Sequence, residues 1–137
     1  MRISLAGVLL LSCLALPAFA LPPIPKYIPV ALEGKAEYKE YLTAFKASAK
    51  KCSSCHIPDG DKKAKGHALN DFGQAMHKHL DDKGFMAADK AKKMDEALKL
   101  FNEAWGKAVL EKNADGQTFN DLLKEGKNPG KNPDKKE

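Results

Sequence analysis

Cysteine, histidine and aromatic residues are scarce in this chain. Its 137 residues include three Cys, four His, six Phe, three Tyr and one Trp. So few cysteines exclude a miniprotein held together by several disulfides. Aromatic residues make up 7% of the chain, which is few for a protein that must bury a full core. We therefore expect a group other than side chains to fill part of its centre.

A large excess of one charge is also absent. The formal net charge is +5, charged residues make up 30% of the chain and hydrophobic residues 43%. This balance excludes a wholly disordered chain and a membrane bundle. The modest net charge and the lack of a recognition motif argue against nucleic-acid binding. The length suits one domain, which we expect to be monomeric.

The only long apolar run lies at the start. Met1 and Arg2 precede an apolar stretch that ends in Ala18-Phe19-Ala20, an A-x-A cleavage pattern. This pattern predicts a signal peptide over residues 1–20, export to the periplasm and no membrane span after cleavage. Lipid attachment at Cys13 is the alternative. Cleavage would leave Cys52 and Cys55 as the only cysteines.

Apolar residues recur at helical spacing through most of the remaining chain, and no stretch alternates as a strand does. The sequence therefore predicts an all-α domain over residues 33–125. We expect helices over 33–51, from Asn70 to near Gly84 and over 89–112, and a short helical turn near Phe119. The Pro-rich residues 21–32 predict an extended leader, and the Lys-rich residues 126–137 a disordered tail.

The motif with chemical meaning is Cys52-Ser53-Ser54-Cys55-His56, the C-x-x-C-H pattern of c-type haem attachment. Two thiols on one turn can reach the two vinyl groups of a haem and form thioethers, with His56 beneath the iron as proximal ligand. The motif predicts one covalent haem c.

Two interpretations of the motif do not involve haem. A thioredoxin-like dithiol calls for a preceding strand, which the sequence does not show. A non-haem metal-binding domain would take zinc through the two cysteines with His77 and His79, although the spacing of these histidines is unusual for zinc.

Residues 52–73, CSSCHIPDGDKKAKGHALNDFG, resemble the first half of class I cytochromes c. Gly66-His67-Ala68-Leu69 stands where that family has G-P-x-L, and Gly73 matches a later glycine. With the flanking helices, the resemblance covers residues 33–112. It implies a small helical domain wrapped around one haem, and one-electron transfer rather than an enzyme activity.

The resemblance also implies roles for single residues. His67 replaces the family's proline, whose carbonyl accepts the proximal histidine's Nδ1–H. We expect the N- and C-terminal helices to cross, with Phe45, Phe101 and Trp105 packing the crossing and shielding one haem edge.

The distal iron ligand is the open question of the site. The family uses a methionine in the loop before the C-terminal helix, and Met86 occupies that kind of position. Met76 and His79 are the main alternatives, followed by His77 and Met94. Methionine ligation suits an electron carrier with a raised potential, whereas an open site would suit a haem sensor or a peroxidase-like protein.

Lysines surround the motif on both sides. A basic surface near an exposed haem edge would attract an acidic redox partner at a rate that depends on ionic strength. The residues concerned are Lys50, Lys51, Lys62, Lys63 and Lys65.

Overall fold

The structure is a computed structural model that describes residues 24–57 and 68–131. Several predictions of the sequence fall outside these residues: the signal peptide, the lipid anchor at Cys13, the interaction of His67 and the end of the tail. The loop lysines Lys62, Lys63 and Lys65 also lie outside them. No helix in the described residues is both long and apolar enough to cross a membrane.

The described residues form helices and no strands, which confirms the predicted all-α class. Two isolated bridges, His56 with Leu69 and Lys112 with Thr118, are the extended pairings recorded there. The elements in chain order are α1 (Ile24–Leu32), a 3-10 turn (Ala36–Tyr38), α2 (Lys39–Ala47), a 3-10 turn (Lys51–Ser54), α3 (Asp71–His79), α4 (Asp82–Lys90), α5 (Met94–Ala108) and α6 (Phe119–Lys124).

Helix α1 corrects the predicted extended leader. Residues 24–32 are helical although they contain Pro25 and Pro29. Pro25 lies in the first turn, where a backbone N–H has no partner within the helix, so its missing donor costs little there. Pro29 removes one internal hydrogen bond, a loss offset by four residues of α1 that are buried. These are Tyr27, Ile28, Ala31 and Leu32.

The region after Asn70 forms two helices where the sequence predicted one. Asn70 caps α3 as expected, its Oδ1 accepting the Gly73 N–H at 2.8 Å. The chain then leaves α3 at Leu80, and Asp81 caps α4 by accepting the Gly84 N–H at 3.2 Å. Gly84 therefore lies inside a helix and does not end one, because a second cap directly follows the first helix.

The other predicted helices differ from the observed ones mainly in length. Helix α2 is shorter than the predicted 33–51, and α5 is shorter than 89–112, because a turn with Lys92 at φ 58° separates it from α4. The short helix near Phe119 is confirmed as α6, capped by the Thr118 hydroxyl.

Aromatic side chains connect the helices at the centre. Tyr27 of α1 lies 6.0 Å from Phe101 of α5, and Phe72 of α3 lies 5.3 Å from Trp105 and 5.2 Å from Phe119. Every aromatic side chain of the described residues is buried. The small number of rings is therefore used fully in this part of the core.

The predicted helix crossing is made by a different helix. Helix α5 packs mainly against α1, α3 and α4, whereas α2 packs against α1 and α6. Phe101 and Trp105 lie in the core as expected, 5.6 Å apart, but Phe45 of α2 has its ring beside Tyr41. The buried helix α1 takes the place expected for α2.

The segment after α6 corrects the predicted disordered tail as far as Lys131. Pro129 is fully buried, and the Lys131 N–H donates to Asp71 Oδ1 at 2.7 Å. This segment is held by polar hydrogen bonds and one buried proline. It therefore has no apolar periodicity from which an ordered structure could have been predicted.

Candidate functional site

Cys52, Cys55 and His56 lie on a single tight turn. The Cys55 N–H donates to the Cys52 carbonyl at 3.2 Å, and the His56 N–H donates to the same carbonyl at 2.9 Å. These two hydrogen bonds place Cys55 and His56 directly after the 3-10 turn that contains Cys52. The cysteines are not joined in a disulfide. The structure thus brings the three residues of the predicted site together with both thiols available.

The two thiols differ in environment. Cys52 is exposed and Cys55 is partly buried. Burial, reinforced by the nearby Cys52, raises the pKa of the Cys55 thiol to about 12. A redox dithiol needs a low-pKa thiolate as its nucleophile. In such a pair the nucleophile is the exposed first cysteine, here Cys52, so the pKa of Cys55 does not distinguish the interpretations. The lack of a strand before the motif in residues 24–57 argues against the thioredoxin-like interpretation.

Helix α3 supports this turn from behind. The Asn70 N–H donates to the Cys55 carbonyl at 2.9 Å, and Asn70 Nδ2 donates to the Ser53 carbonyl at 3.0 Å. Gly73 packs so closely that a Cβ on it would overlap the Cys55 carbonyl oxygen. The glycine singled out in the sequence is thus required by close backbone approach.

The segment after the motif is tied back to the start of α3. His56 and Leu69 form an antiparallel bridge, and the Ile57 N–H donates to the Ala68 carbonyl at 2.9 Å. The two ends of the intervening loop are therefore held together beside the cysteines. This arrangement brings the beginning and the end of the 52–73 motif into contact.

The methionine candidates for a distal ligand occupy three different environments. Met86 is partly buried and belongs to helix α4, not to a loop as expected. Met76 is buried on α3, one turn beyond Gly73 and on the same face. Met94 is 46% exposed because the buried part of α5 begins one turn later, at Ala97.

Both histidine candidates have carboxylate neighbours. His79 Nε2 lies 2.6 Å from Glu111 Oε1, and His77 Nδ1 lies 2.9 Å from Asp82 Oδ2. Hydrogen bonds from Lys78 and then His79 lower the pKa of Glu111. Within residues 24–57 and 68–131 no group of three or more His, Cys, Asp or Glu side chains is placed to hold a metal ion. The four-residue zinc set is therefore not assembled there.

Trp105 provides an unused hydrogen-bond donor near the turn. Its Nε1 is buried and has no acceptor, which costs about 1–3 kcal/mol if it stays unpaired. Its ring meets Phe72, the neighbour of the Gly73 that contacts Cys55. A bound group with acceptor atoms could pair with this N–H, so Trp105 fits a cofactor such as haem, whose carboxylates are acceptors.

Sequence reasoning missed a basic groove between the end of α1 and α2. It is open, has a volume of about 340 Å³, and is lined by no acidic residue. Lys39 and Lys46 share one face of α2 with Leu42 between them, and this spacing in the sequence could have indicated the groove. Its lining consists of Leu32, Gly34, Lys35, Ala36, Lys39, Leu42, Thr43 and Lys46.

Asn70, Asn128 and Gly130 were also missed as supports of the turn. Asn70 was expected only as a helix cap, and the other two lie in a segment without periodicity. Their roles depend on contacts between residues far apart in the chain.

Comparison with known proteins found no matching family model, no similar curated protein and no similar solved structure.

Proposed function

We propose that this protein is an exported c-type cytochrome with one covalent haem, and that it carries single electrons between redox partners. The observation that supports this best is the single turn that holds Cys52, Cys55 and His56, with neither cysteine joined in a disulfide. The lack of a strand before the motif in the described residues weakens the redox-dithiol alternative. We further propose that the protein acts in the periplasm, with a lipid anchor at Cys13 as the alternative.

Each residue of the turn has a defined task in this proposal. Cys52 and Cys55 would hold the haem by thioether bonds, and His56 would be the proximal ligand. When bound, haem iron supplies reversible one-electron chemistry. The chain would supply the rest: Asn70 and Gly73 hold the turn in place, and Trp105 offers its indole N–H.

For the distal ligand, Met86 remains the first candidate and Met76 the second. Met76 is supported as a candidate because it lies one turn after Gly73 on the same face of α3. His77 and His79 remain further candidates, since a carboxylate lies beside one ring nitrogen of each and could orient the ring for ligation through the other. A methionine ligand would favour the reduced iron and suit electron transfer.

A second candidate function is a haem sensor or peroxidase-like protein with an open distal position. The location of Met86 inside helix α4 favours it, because a methionine within a helix lacks the freedom of one in a loop. A high-spin ferric spectrum of the purified protein would support this function over the carrier. A low-spin spectrum would support the carrier.

The proposed partner is a redox protein with an acidic docking surface. Lys35, Lys39 and Lys46 surround an apolar floor in the groove, so an acidic segment with an apolar side chain fits its chemistry. Lys50 and Lys51, both exposed, extend the basic surface to the cysteine turn.

Expression with a cytochrome maturation system followed by a pyridine haemochrome assay tests the main proposal. We expect one covalent haem per chain in the wild type and none in the Cys52→Ser, Cys55→Ser double variant. Cys13→Ser is the matched control because it changes a cysteine outside the motif, and it should retain haem. A wild-type chain without covalent haem would overturn the proposal.

A further inference from the structure

The last described residues, 127–131, run across the turn between the two cysteines, and we call this segment the strap. Asn128 Nδ2 donates to the Ser53 carbonyl at 3.1 Å, and Ser53 is the residue directly after Cys52. Asn128 Oδ1 accepts the Gly130 N–H at 3.3 Å, which bends the strap around the fully buried Pro129. The strap is therefore seated on the turn by a side chain, a proline and a local bend.

Asn70 links the strap to the same turn a second time. Its amide donates to the Ser53 carbonyl, which therefore accepts from both Asn70 and Asn128. Gly130 lies so close that a Cβ on it would overlap the amide group of Asn70. Because the Asn70 N–H also holds the Cys55 carbonyl, a change at Gly130 would be passed directly to Cys55.

The far end of the strap is fixed to the first residue of α3. The Lys131 N–H donates to Asp71 Oδ1 at 2.7 Å, and the Asp71 N–H donates to the Lys131 carbonyl at 3.1 Å. Asp71 therefore holds Lys131 through both its side chain and its backbone. The strap thus spans from the cysteine turn to the start of α3.

We propose that the strap is a closing element for the cysteine turn: when residues 127–131 leave their seat, the turn from Cys52 to His56 loosens with them. Asn128 and Lys131 are exposed, and Pro129 is the one buried residue of the strap. A segment held mainly by exposed hydrogen bonds opens locally at a lower free energy than the core. The strap can therefore open while α5 and its aromatic neighbours stay folded.

The strap also bears on haem loading, a consequence that rests on the proposed function. Cys55 is partly buried in the closed arrangement, and attachment requires its sulfur to reach a vinyl group. The strap would be open during attachment and closed afterwards. The coupling between strap and turn does not itself depend on haem.

Hydrogen–deuterium exchange on the full-length purified protein tests the coupling. In Gly130→Ala the added Cβ displaces the strap, so we expect the Cys55 and His56 amides to exchange about fivefold to tenfold faster, as the loss of one or two hydrogen bonds implies. The Lys131 amide should also exchange faster, and the amides of α5 should not change. Gly106→Ala is the matched control because a Cβ there meets no atom within 4 Å.

Two outcomes would overturn the proposal: faster exchange at Lys131 with unchanged exchange at Cys55 and His56, or unchanged exchange at all three. If Gly130→Ala does not fold, Asn128→Ala removes one hydrogen bond to Ser53 and allows the same comparison. The absorption spectrum of each sample shows whether haem is attached. Absence of haem would contradict the proposed function and leave the exchange result valid.

Discussion

At the scale of single residues, close backbone contacts decide how the cysteine turn is held. Gly73 has no Cβ, and this lets α3 contact the Cys55 carbonyl directly. Asn70 uses its backbone N–H, its side-chain oxygen and its side-chain nitrogen for three different partners. A few small or amide residues therefore determine the geometry of the site.

Gly73→Ala should destabilise the protein. The added methyl group would overlap the Cys55 carbonyl, and inserting an atom into a packed site costs about 1–3 kcal/mol. Urea unfolding followed by circular dichroism measures the change. Gly106→Ala, an exposed glycine in α5, should be neutral or stabilising by up to about 1 kcal/mol. Equal urea midpoints for wild type and Gly73→Ala would contradict the close packing.

Substitutions of the three methionines in α3, α4 and α5 distinguish iron ligation from packing in the core. If Met86 binds the iron, Met86→Ala should abolish the long-wavelength sulfur-to-iron absorption band that the family resemblance implies. Met76→Ala should instead keep the band and lose about 2–5 kcal/mol of stability, because Met76 is buried. Met94→Ala, at an exposed position, should change neither. Loss of the band in Met76→Ala alone would assign Met76 as the ligand.

At the scale of elements, α1 is the helix that the chain's prolines concealed, and its attachment to α4 is electrostatic as well as apolar. The Tyr27 hydroxyl donates to Asp89 Oδ1 at 2.5 Å, and Lys26 forms an ion pair with the same oxygen. Tyr27 also meets Phe85 of α4 edge-on at 5.0 Å. Helix α1 is therefore held at one end by a shared carboxylate.

This attachment should be sensitive to acid. The hydrogen bond from Lys26, followed by the one from Tyr27, lowers the pKa of Asp89 below its usual 3.8. A carboxyl group with a lowered pKa stabilises the folded protein at pH values above its pKa in the unfolded chain. This stabilisation is lost as the pH falls through its pKa in the folded protein. The wild type should thus lose more stability between pH 7 and pH about 3 than Asp89→Asn.

Urea midpoints at the two pH values measure this difference. Asp95→Asn is the matched control, because Asp95 is an exposed carboxyl in the first turn of α5. It should show nearly the wild-type loss. An identical loss in wild type and Asp89→Asn would show that the contact between α1 and α4 does not depend on the Asp89 charge.

At the scale of the whole molecule, the positive charge is arranged in part around the groove between α1 and α2. The formal net charge is +5, and the groove combines three lysines with an apolar floor. Such a surface attracts acidic partners over distances limited by the Debye length, about 10 Å at 0.1 M salt. Docking there should depend strongly on ionic strength.

The Lys39→Gln, Lys46→Gln double variant should bind a glutamate-rich peptide containing leucine about threefold to tenfold more weakly than the wild type at low salt. Calorimetric titration measures the affinity. Lys99→Gln, Lys107→Gln is the matched control, because it removes the same charge from exposed positions of α5. Equal weakening in both double variants would indicate net charge, not the groove, as the cause.

Local pattern made several features of this fold predictable. The Asn70 cap and α6 follow from residues that lie next to one another in the chain. The predictions for 21–32 and for the tail were wrong at residues 24–32 and 126–131, because burial in α1 and polar contacts of the strap outweigh local preference. The division between α3 and α4 was missed, since Asp81 was not recognised as the cap of a second helix.

The sequence by itself determined the all-α class and the spacing that puts two cysteines and a histidine on one turn, because both depend on residues within a few positions of each other. Tertiary structure alone decided which elements hold that turn. Asn70, Gly73 and Asn128 reach it from 17, 18 and 75 positions away, through hydrogen bonds and van der Waals contact. Local spacing carries no record of such contacts, since they form only when packing of the core brings distant segments together.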